Sequence, residues 1–436
     1  MSELSFETRQ IHAGQSPDTA TGARALPIYQ TTSYVFDSAE TAANRFALAD
    51  LGPIYTRIGN PTVEAVEDRI ADLEGGVQGV LVASGQSAEF LAIINIAEAG
   101  DHVVASPSLY GGTYNLLDVT LRKLGIETTF VSDPGDVEAW KAAVKPNTKL
   151  FFAETVANPR SDVLDIAAVA ETAHAAGVPL IIDNTLATPY LVRPIEHGAD
   201  VVIHSATKYL GGHGTSIAGI IVDSGNFDYS AEPERFPGFN QPDASYNGLV
   251  YARDLGPDSA FGANVSYGIK ARVQLLRDLG PAASPFNAFL IAQGLETLSL
   301  RIERHVANAQ RVAEFLESHD QVDKVHFAGL PSSPWYELGQ KYLPKGVGSV
   351  LGFEIADGYD AAVKFVDALE LHSHVANIGD VRSLVIHPAS TTHAQLDEDA
   401  QRAAGVSPAF VRLAVGIEGI DDIIADLEKG FAAARG

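Results

Sequence analysis

The sequence predicts an α/β protein, with a mostly parallel sheet in a large domain and a smaller α+β domain at the C-terminal end. Three observations carry this expectation. Short runs such as 79–83, 102–106 and 199–204 have consecutive apolar residues at their centres and do not alternate, as in strands covered on both faces. Segments of helical length separate them, several closed by a glycine. The chain has 436 residues, 46% of them hydrophobic, enough for a large core and at least two domains.

Residues 1–60 read as an irregular N-terminal arm, punctuated by Gly22, Pro27 and Gly52-Pro53. That is long for a loop inside a domain, so the arm is expected to wrap its own domain or a neighbour. Pro61 can open a helix over 63–73 from its first turn. Strand 79–83 leads through Ser84-Gly85-Gln86-Ser87 into a helix reaching Ala97, and strand 102–106 precedes a helix from Tyr110 to about Gly125. Strands follow at 127–131, 149–153 and 179–182, separated by helices at 136–144 and 166–176. Strands 199–204 and 217–222 flank Ser205-Ala-Thr-Lys208-Tyr-Leu-Gly-Gly, and 225–263 is a long insert without periodicity. Helices resume at 268–279 and from Phe286; Ile302, Val306, Ala309, Ala313 and Leu316 mark one face of a long helix. Strands at 349–355 and 410–415 and a helix over 421–433 complete the smaller unit. The expected domains are therefore 61–285 and 286–436, after the arm.

Composition narrows the function. With 30 Lys+Arg against 55 Asp+Glu, the formal charge of -25 argues against nucleic acid and anionic membranes as partners. The absence of cysteine excludes disulfides, thiolate–zinc sites and cysteine nucleophiles, and no metal is expected. The N-terminus shows no basic region followed by an apolar run, so a cytoplasmic protein is expected.

Four features then point to one ligand. Lys208, between two apolar strands, is desolvated into a competent amine nucleophile, with Ser205 and Thr207 offering hydroxyls to a phosphate. Taken alone, this is equally a surface lysine beside a glycine turn. The turn at Gly85-Gln86, between strand and helix, presents backbone N–H groups to an anion. Asp183 ends a very apolar strand, at the sheet edge where open α/β folds bind ligands, although a helix cap would look the same. Tyr110 can cover a flat ring or simply pack. Asn158 and Arg412 add polar groups, and a guanidinium inside the apolar strand 410–415 is costly unless an anion joins it. A flat, phosphorylated aldehyde with a basic ring nitrogen uses all of these; that ligand is pyridoxal 5'-phosphate (PLP), with Lys208 as its Schiff-base amine.

Tyr55-Thr-Arg57-Ile-Gly-Asn-Pro-Thr, Ser84-Gly85-Gln86, Tyr110-Gly-Gly-Thr, Glu154-Thr-Val-Ala-Asn158-Pro, Asp183-Asn-Thr185, Ser205-Ala-Thr-Lys208-Tyr, Gly294-Leu-Glu-Thr-Leu and Val411-Arg412-Leu-Ala-Val-Gly-Ile-Glu stand in the order found in one family. Over essentially its whole length the chain resembles the γ-specific PLP enzymes of cysteine and methionine metabolism. The resemblance implies the type I aminotransferase fold. It implies that Lys208 holds the cofactor and moves protons, Asp183 pairs with the ring nitrogen, Tyr110 stacks on the ring and Thr185 meets its other face. Gly85, Gln86, Ser205 and Thr207 are then phosphate ligands, joined by Tyr55 and Arg57 from the partner subunit of a dimer, with dimers pairing into tetramers. Asn158, Ser383 and Arg412 grip the amino acid. Ser84-Gly85-Gln86 and the 225–263 insert resemble the branch that joins O-acetylhomoserine to sulfide, releasing acetate and forming homocysteine. The rival within the family is cystathionine γ-synthase, which differs in the incoming thiol, or a related γ-lyase; Gly112, where the lyases compared carry cysteine, lowers the lyase reading. A non-catalytic small-molecule binder on the same scaffold is the rival outside it.

Overall fold

The computed structural model describes residues 4–50, 52–391 and 406–435. Its larger sheet contains β1 (Gln78–Val82), β2 (His102–Ala105), β3 (Glu127–Phe130), β4 (Thr148–Glu154), β5 (Leu180–Asp183), β6 (Val201–His204) and β7 (Gly219–Asp223), in the spatial order β1-β7-β6-β5-β4-β2-β3. Strands β6, β5, β4, β2 and β3 run parallel, whereas β7 runs antiparallel to both β6 and β1. The sheet is thus mostly parallel and mixed at one side.

Both faces are covered, which explains why the strands read as continuous apolar runs. Leu150, Phe152, Ile181, Ile203 and Ile221 point to one face and pack with Leu91 and Ala92 of helix Gly85–Ile94. Their neighbours Phe151, Ala153, Ile182, Val202 and Ile220 point to the other, onto Val66 and Ile70 of helix Pro61–Glu74. That helix starts at Asn60, whose side chain accepts from Thr62 N, and stops at Gly75 with φ +83°.

A second sheet contains β8 (Val322–His326), β9 (Val350–Ile355), β10 (Ser373–His374), β11 (Leu384–Ile386) and β12 (Phe410–Ala414), ordered β10-β11-β12-β9-β8. The sequence signalled only β9 and β12, the longer apolar runs among these. Helix Leu298–Glu317 presents Ile302, Ala309, Ala313 and Leu316 to a core that continues from the large sheet into this one.

Two expectations need correction. The arm is not irregular throughout: helices span Phe6–His12 and Ala39–Phe46. The first is too short for a periodic signal and is held by tertiary contacts, Arg9 pairing with Asp72 and Gln10 bonding to Ser299. The second begins at Ser38, which caps Thr41 N. The insert likewise contains short helices at Pro237–Asn240 and Tyr251–Asp254. It is fixed by aromatic stacking of Tyr229 on Phe239 and of both on Tyr267, not by amphipathic periodicity.

Candidate active site

The C-terminal ends of β4 and β5 set two carboxylates side by side. Glu154 and Asp183 are register partners, each the last residue of its strand. Glu89, on helix Gly85–Ile94, joins them from above the sheet, making three buried acids in one place. Burial pushes all three carboxyls upward, and for Glu89 and Glu154 the neighbouring Asp183 charge adds to it. Glu154 lies well above the carboxylate range, and Glu89 is raised to about 8. Asp183 is raised too, first by burial, but Thr185 opposes this with its hydroxyl at 2.5 Å and its N–H at 2.9 Å, both donated to Oδ1. Of the three, Asp183 is the best equipped to carry a charge. A cationic ring nitrogen is the partner such a group lacks.

The next strand exit brings the lysine. β6 ends at His204, and Lys208 lies four residues on, in the turn 206–211 between β6 and β7. Ser205 N donates to Thr185 Oγ1 at 2.8 Å, tying this turn to Asp183. Gly85 lies against it: a Cβ there would sit 2.7 Å from Ser205 Cβ, so only glycine lets the two turns meet. Ser84 caps its helix through Ser87 N, and Gln86 gives its amide to Glu89 at 2.9 Å. Thr207 uses its hydroxyl on the backbone of Ala218, donating to the carbonyl and accepting from the N–H.

Lys208 Nζ donates to Asn377 Oδ1 at 2.5 Å, and the Asn377 carbonyl accepts from Arg412 Nη2 at 3.0 Å. Arg412 Nη1 reaches Asn158 Oδ1 at 3.4 Å, while its buried Nε has no partner among the described residues. Burial lowers the guanidinium to about 10, and burial together with the Arg412 charge lowers the Lys208 amine. No carboxylate among the described residues pairs with either cation. The loop carrying Asn377 approaches closely because Gly379, at φ +73°, packs within 2.9 Å of Lys208 Cβ where a side chain would begin. Asn377 was absent from the sequence reading: a lone asparagine in a loop carries no periodic or motif signal.

Tyr110 opens helix Gly111–Asn115 with its ring half exposed, and its N–H donates to Glu154 Oε1 at 2.5 Å. A Cβ on Gly112 would fall 2.4 Å from Tyr110 Cε1, so the glycine makes room for the ring. Ser383 is placed apart from this group in its contacts. Its hydroxyl donates to Glu418 Oε2 at 3.0 Å and accepts from Gly416 N at 2.9 Å, fully buried. Tyr55 and Arg57 are exposed, stacked on one another at 5.1 Å, with Arg57 beside Gly280.

The crevice thus has opposite polarity at its two ends. Acids crowd around Asp183, and unpaired cations lie at Lys208 and Arg412. The residues fit PLP: a carboxylate set for a ring cation, a glycine-lined turn for a phosphate, a buried amine for an aldehyde and an orphaned guanidinium Nε for a substrate carboxylate.

Comparison with known proteins agrees with this chemistry. A family model described as Cys/Met metabolism PLP-dependent enzyme matches residues 7–432. An O-acetyl-L-homoserine sulfhydrylase of Corynebacterium glutamicum is 60% identical, over 98% of this chain and 97% of its own. The homocysteine synthase of Schizosaccharomyces pombe is 50% identical, over 98% of each chain. A crystal structure from Campylobacter jejuni, described as an O-acetylhomoserine (thiol)-lyase with N'-pyridoxyl-lysine-5'-monophosphate, superimposes with a TM-score of 0.93 at 39% identity. That match covers 98% of this chain and 100% of that one.

Proposed function

This chain belongs to the Cys/Met metabolism PLP-dependent enzymes, and on that premise we propose that it converts O-acetyl-L-homoserine and sulfide into L-homocysteine and acetate, a step of methionine biosynthesis. The observation that carries this reading is the run Lys208–Asn377–Arg412–Asn158, whose lysine turn is tied to Asp183 through Ser205 N and Thr185. An amino acid bound through its carboxylate at Arg412 would present its amine and Cα toward Lys208. The named relatives supply the acyl group and the thiol.

When bound, PLP supplies the aldehyde that takes the substrate amine and the ring that stores electrons released at Cα and Cβ. The protein's residues do the rest. Lys208, its amine lowered by burial and by the Arg412 charge, is the group to move the Cα proton, while Asn377 Oδ1 fixes where Nζ points. Asp183, held by Thr185, would accept the ring N–H. Tyr110, for whose side chain Gly112 leaves room, would cover one face of the ring and Thr185 would meet the other. Gly85, Gln86, Ser205 and Thr207 bind the phosphate; for Gln86 and Thr207 this falls to the backbone N–H or to a rearranged side chain, since both side chains have internal partners. Asn158 and Arg412 orient the carboxylate bidentately. Asn377 joins them, and Ser383 buttresses Gly416, four residues beyond Arg412. In the replacement the Cγ–O bond breaks, acetate leaves with that electron pair, and hydrosulfide forms the Cγ–S bond.

Tyr55 and Arg57 complete the phosphate site of a partner subunit in a dimer, dimers pair into a tetramer, and the enzyme works in the cytoplasm. Exposed Val35, Phe46, Ile217 and Phe286 support a covered face, and no described helix is long and apolar enough to cross a membrane. A side-by-side rate assay with sulfide, cysteine and methanethiol on O-acetyl- and O-succinyl-homoserine tests the activity. Fastest turnover with the acetyl ester and sulfide supports it; preference for cysteine would make the enzyme a cystathionine γ-synthase instead.

A further inference from the structure

Glu89 is a buried, titratable side chain in the crevice to which the chemistry above gives no task. It is 3% exposed, and its two carboxyl oxygens face different walls. Oε2 accepts from the Gln86 amide at 2.9 Å, three residues earlier at the start of the same helix. Oε1 accepts from the Thr113 hydroxyl at 2.9 Å, and Thr113, wholly buried, stands one turn into the helix that Tyr110 opens. Glu154 holds that same helix start from the sheet side, through Tyr110 N.

We propose that Glu89 is a positioning residue for the cofactor, one carboxyl group that ties the phosphate-facing turn at Gly85-Gln86 to the helix start behind Tyr110. The inference rests on the reading of this crevice as a PLP site. Two ligand-bearing helix starts that come from separate βα units need a fixed spacing if one phosphate and one ring are to be gripped together. No backbone ladder spans them; the Gln86–Glu89–Thr113 link does. The charged groups facing Glu89 are Asp183 and Glu154, both acids, so the tie works best without a charge of its own. Burial and Asp183 favour the neutral carboxyl, raising it to about 8, against the two hydrogen bonds. A glutamine could make both contacts, its carbonyl accepting from Gln86 and its amide donating to the Thr113 oxygen.

The test measures PLP affinity of the cofactor-free protein, visible circular dichroism of the bound cofactor and apo thermal stability, for wild type, Glu89→Gln, Glu89→Leu and Thr113→Val. Wild type should bind PLP with an induced visible band; absence of binding would sink the site assignment itself. Glu89→Gln should stay within about threefold in Kd at pH 7 with the band intact. Glu89→Leu leaves the buried Thr113 hydroxyl without its partner and frees the Gln86 amide, and should weaken Kd roughly ten- to a hundredfold with loss of band intensity. Thr113→Val cuts the other end of the tie and should act in the same direction, which decides the matter if Glu89→Leu does not fold. Wild-type affinity and band in folded Glu89→Leu or Thr113→Val, with only apo stability reduced, would reduce Glu89 to packing and overturn the proposal. Equal losses in Glu89→Gln and Glu89→Leu would overturn it as well, because charge and not the tie would then be what the cofactor needs.

Discussion

Replacing Arg412 separates substrate recognition from scaffold support. Its guanidinium lies on β12 opposite Gly352 and Ile386, buried, with two long-to-ordinary hydrogen bonds to asparagine oxygens and an unpaired Nε. A fall from 12.5 to about 10 corresponds to on the order of 3 kcal/mol of penalty on the charged form. A protein keeps such a charge for a ligand that answers it. Arg412→Met, similar in length, should therefore remove a charge-assisted carboxylate pair worth about 2–5 kcal/mol, or roughly thirty- to several-thousand-fold in kcat/KM for O-acetylhomoserine. Arg412→Lys should recover only part, because a point charge lacks the planar fork. Removal of the buried charge offsets the loss of the donors to Asn377 and Asn158, so the apo Tm of Arg412→Met should be no lower than that of wild type. Steady-state kinetics, cofactor content and apo melting together decide. Near-normal kcat/KM with a lowered apo Tm would make Arg412 a structural residue and refute the substrate pose.

Further outcomes follow from single contacts. Mixing inactive Arg57→Ala and Lys208→Ala proteins should restore some activity in hybrid dimers if sites are shared, and none after verified subunit exchange would refute sharing. Gly112→Ala places a Cβ where Tyr110 Cε1 now lies, so the ring must swing away; PLP affinity and the visible band should both change, and unchanged values would mean that Tyr110 does not cover the cofactor. Remote from the site, burial pushes Asp426 up, but His372 Nδ1 and the backbone N–H groups of His372, Glu370 and Leu371 outweigh it and hold the carboxyl at about 2. A depressed carboxylate stabilises above its unfolded value of 3.8 and loses that contribution as pH falls toward 2. The Tm deficit of Asp426→Asn should therefore be full at pH 5–7 and shrink between pH 4 and 2; a deficit independent of pH would contradict this.

The large sheet was legible because burial on both faces leaves an unbroken apolar signature in strands such as 149–153, and glycine stops its helices. The short strands β10 and β11 were not, since two or three residues carry no period. The site divided along the same line. Lys208, Asp183 and Gly85 sit at strand exits, where sequence order alone predicts convergence at the sheet edge. Arg412 was exposed by its cost inside an apolar strand. Asn377, Glu89 and Thr113 act through contacts between segments far apart in sequence, and nothing local marks an asparagine in a loop or an acid in a helix as facing a crevice. The Ser383 hydroxyl, just before β11, bonds to Glu418, which follows the neighbouring strand β12, a contact between segments that tertiary packing sets.

The central claim, that Lys208 holds PLP in this crevice, is tested most directly by borohydride reduction of the purified holoenzyme followed by peptide mapping. Another lysine, Lys270, makes the experiment discriminating: burial lowers it to about 8, yet its amine is turned onto Asn95 and lies 4.9 Å over the Phe239 ring. Reduction should fix one pyridoxyl group per chain, on Lys208. A label on Lys270, or on any lysine outside the 206–211 turn, would contradict the account.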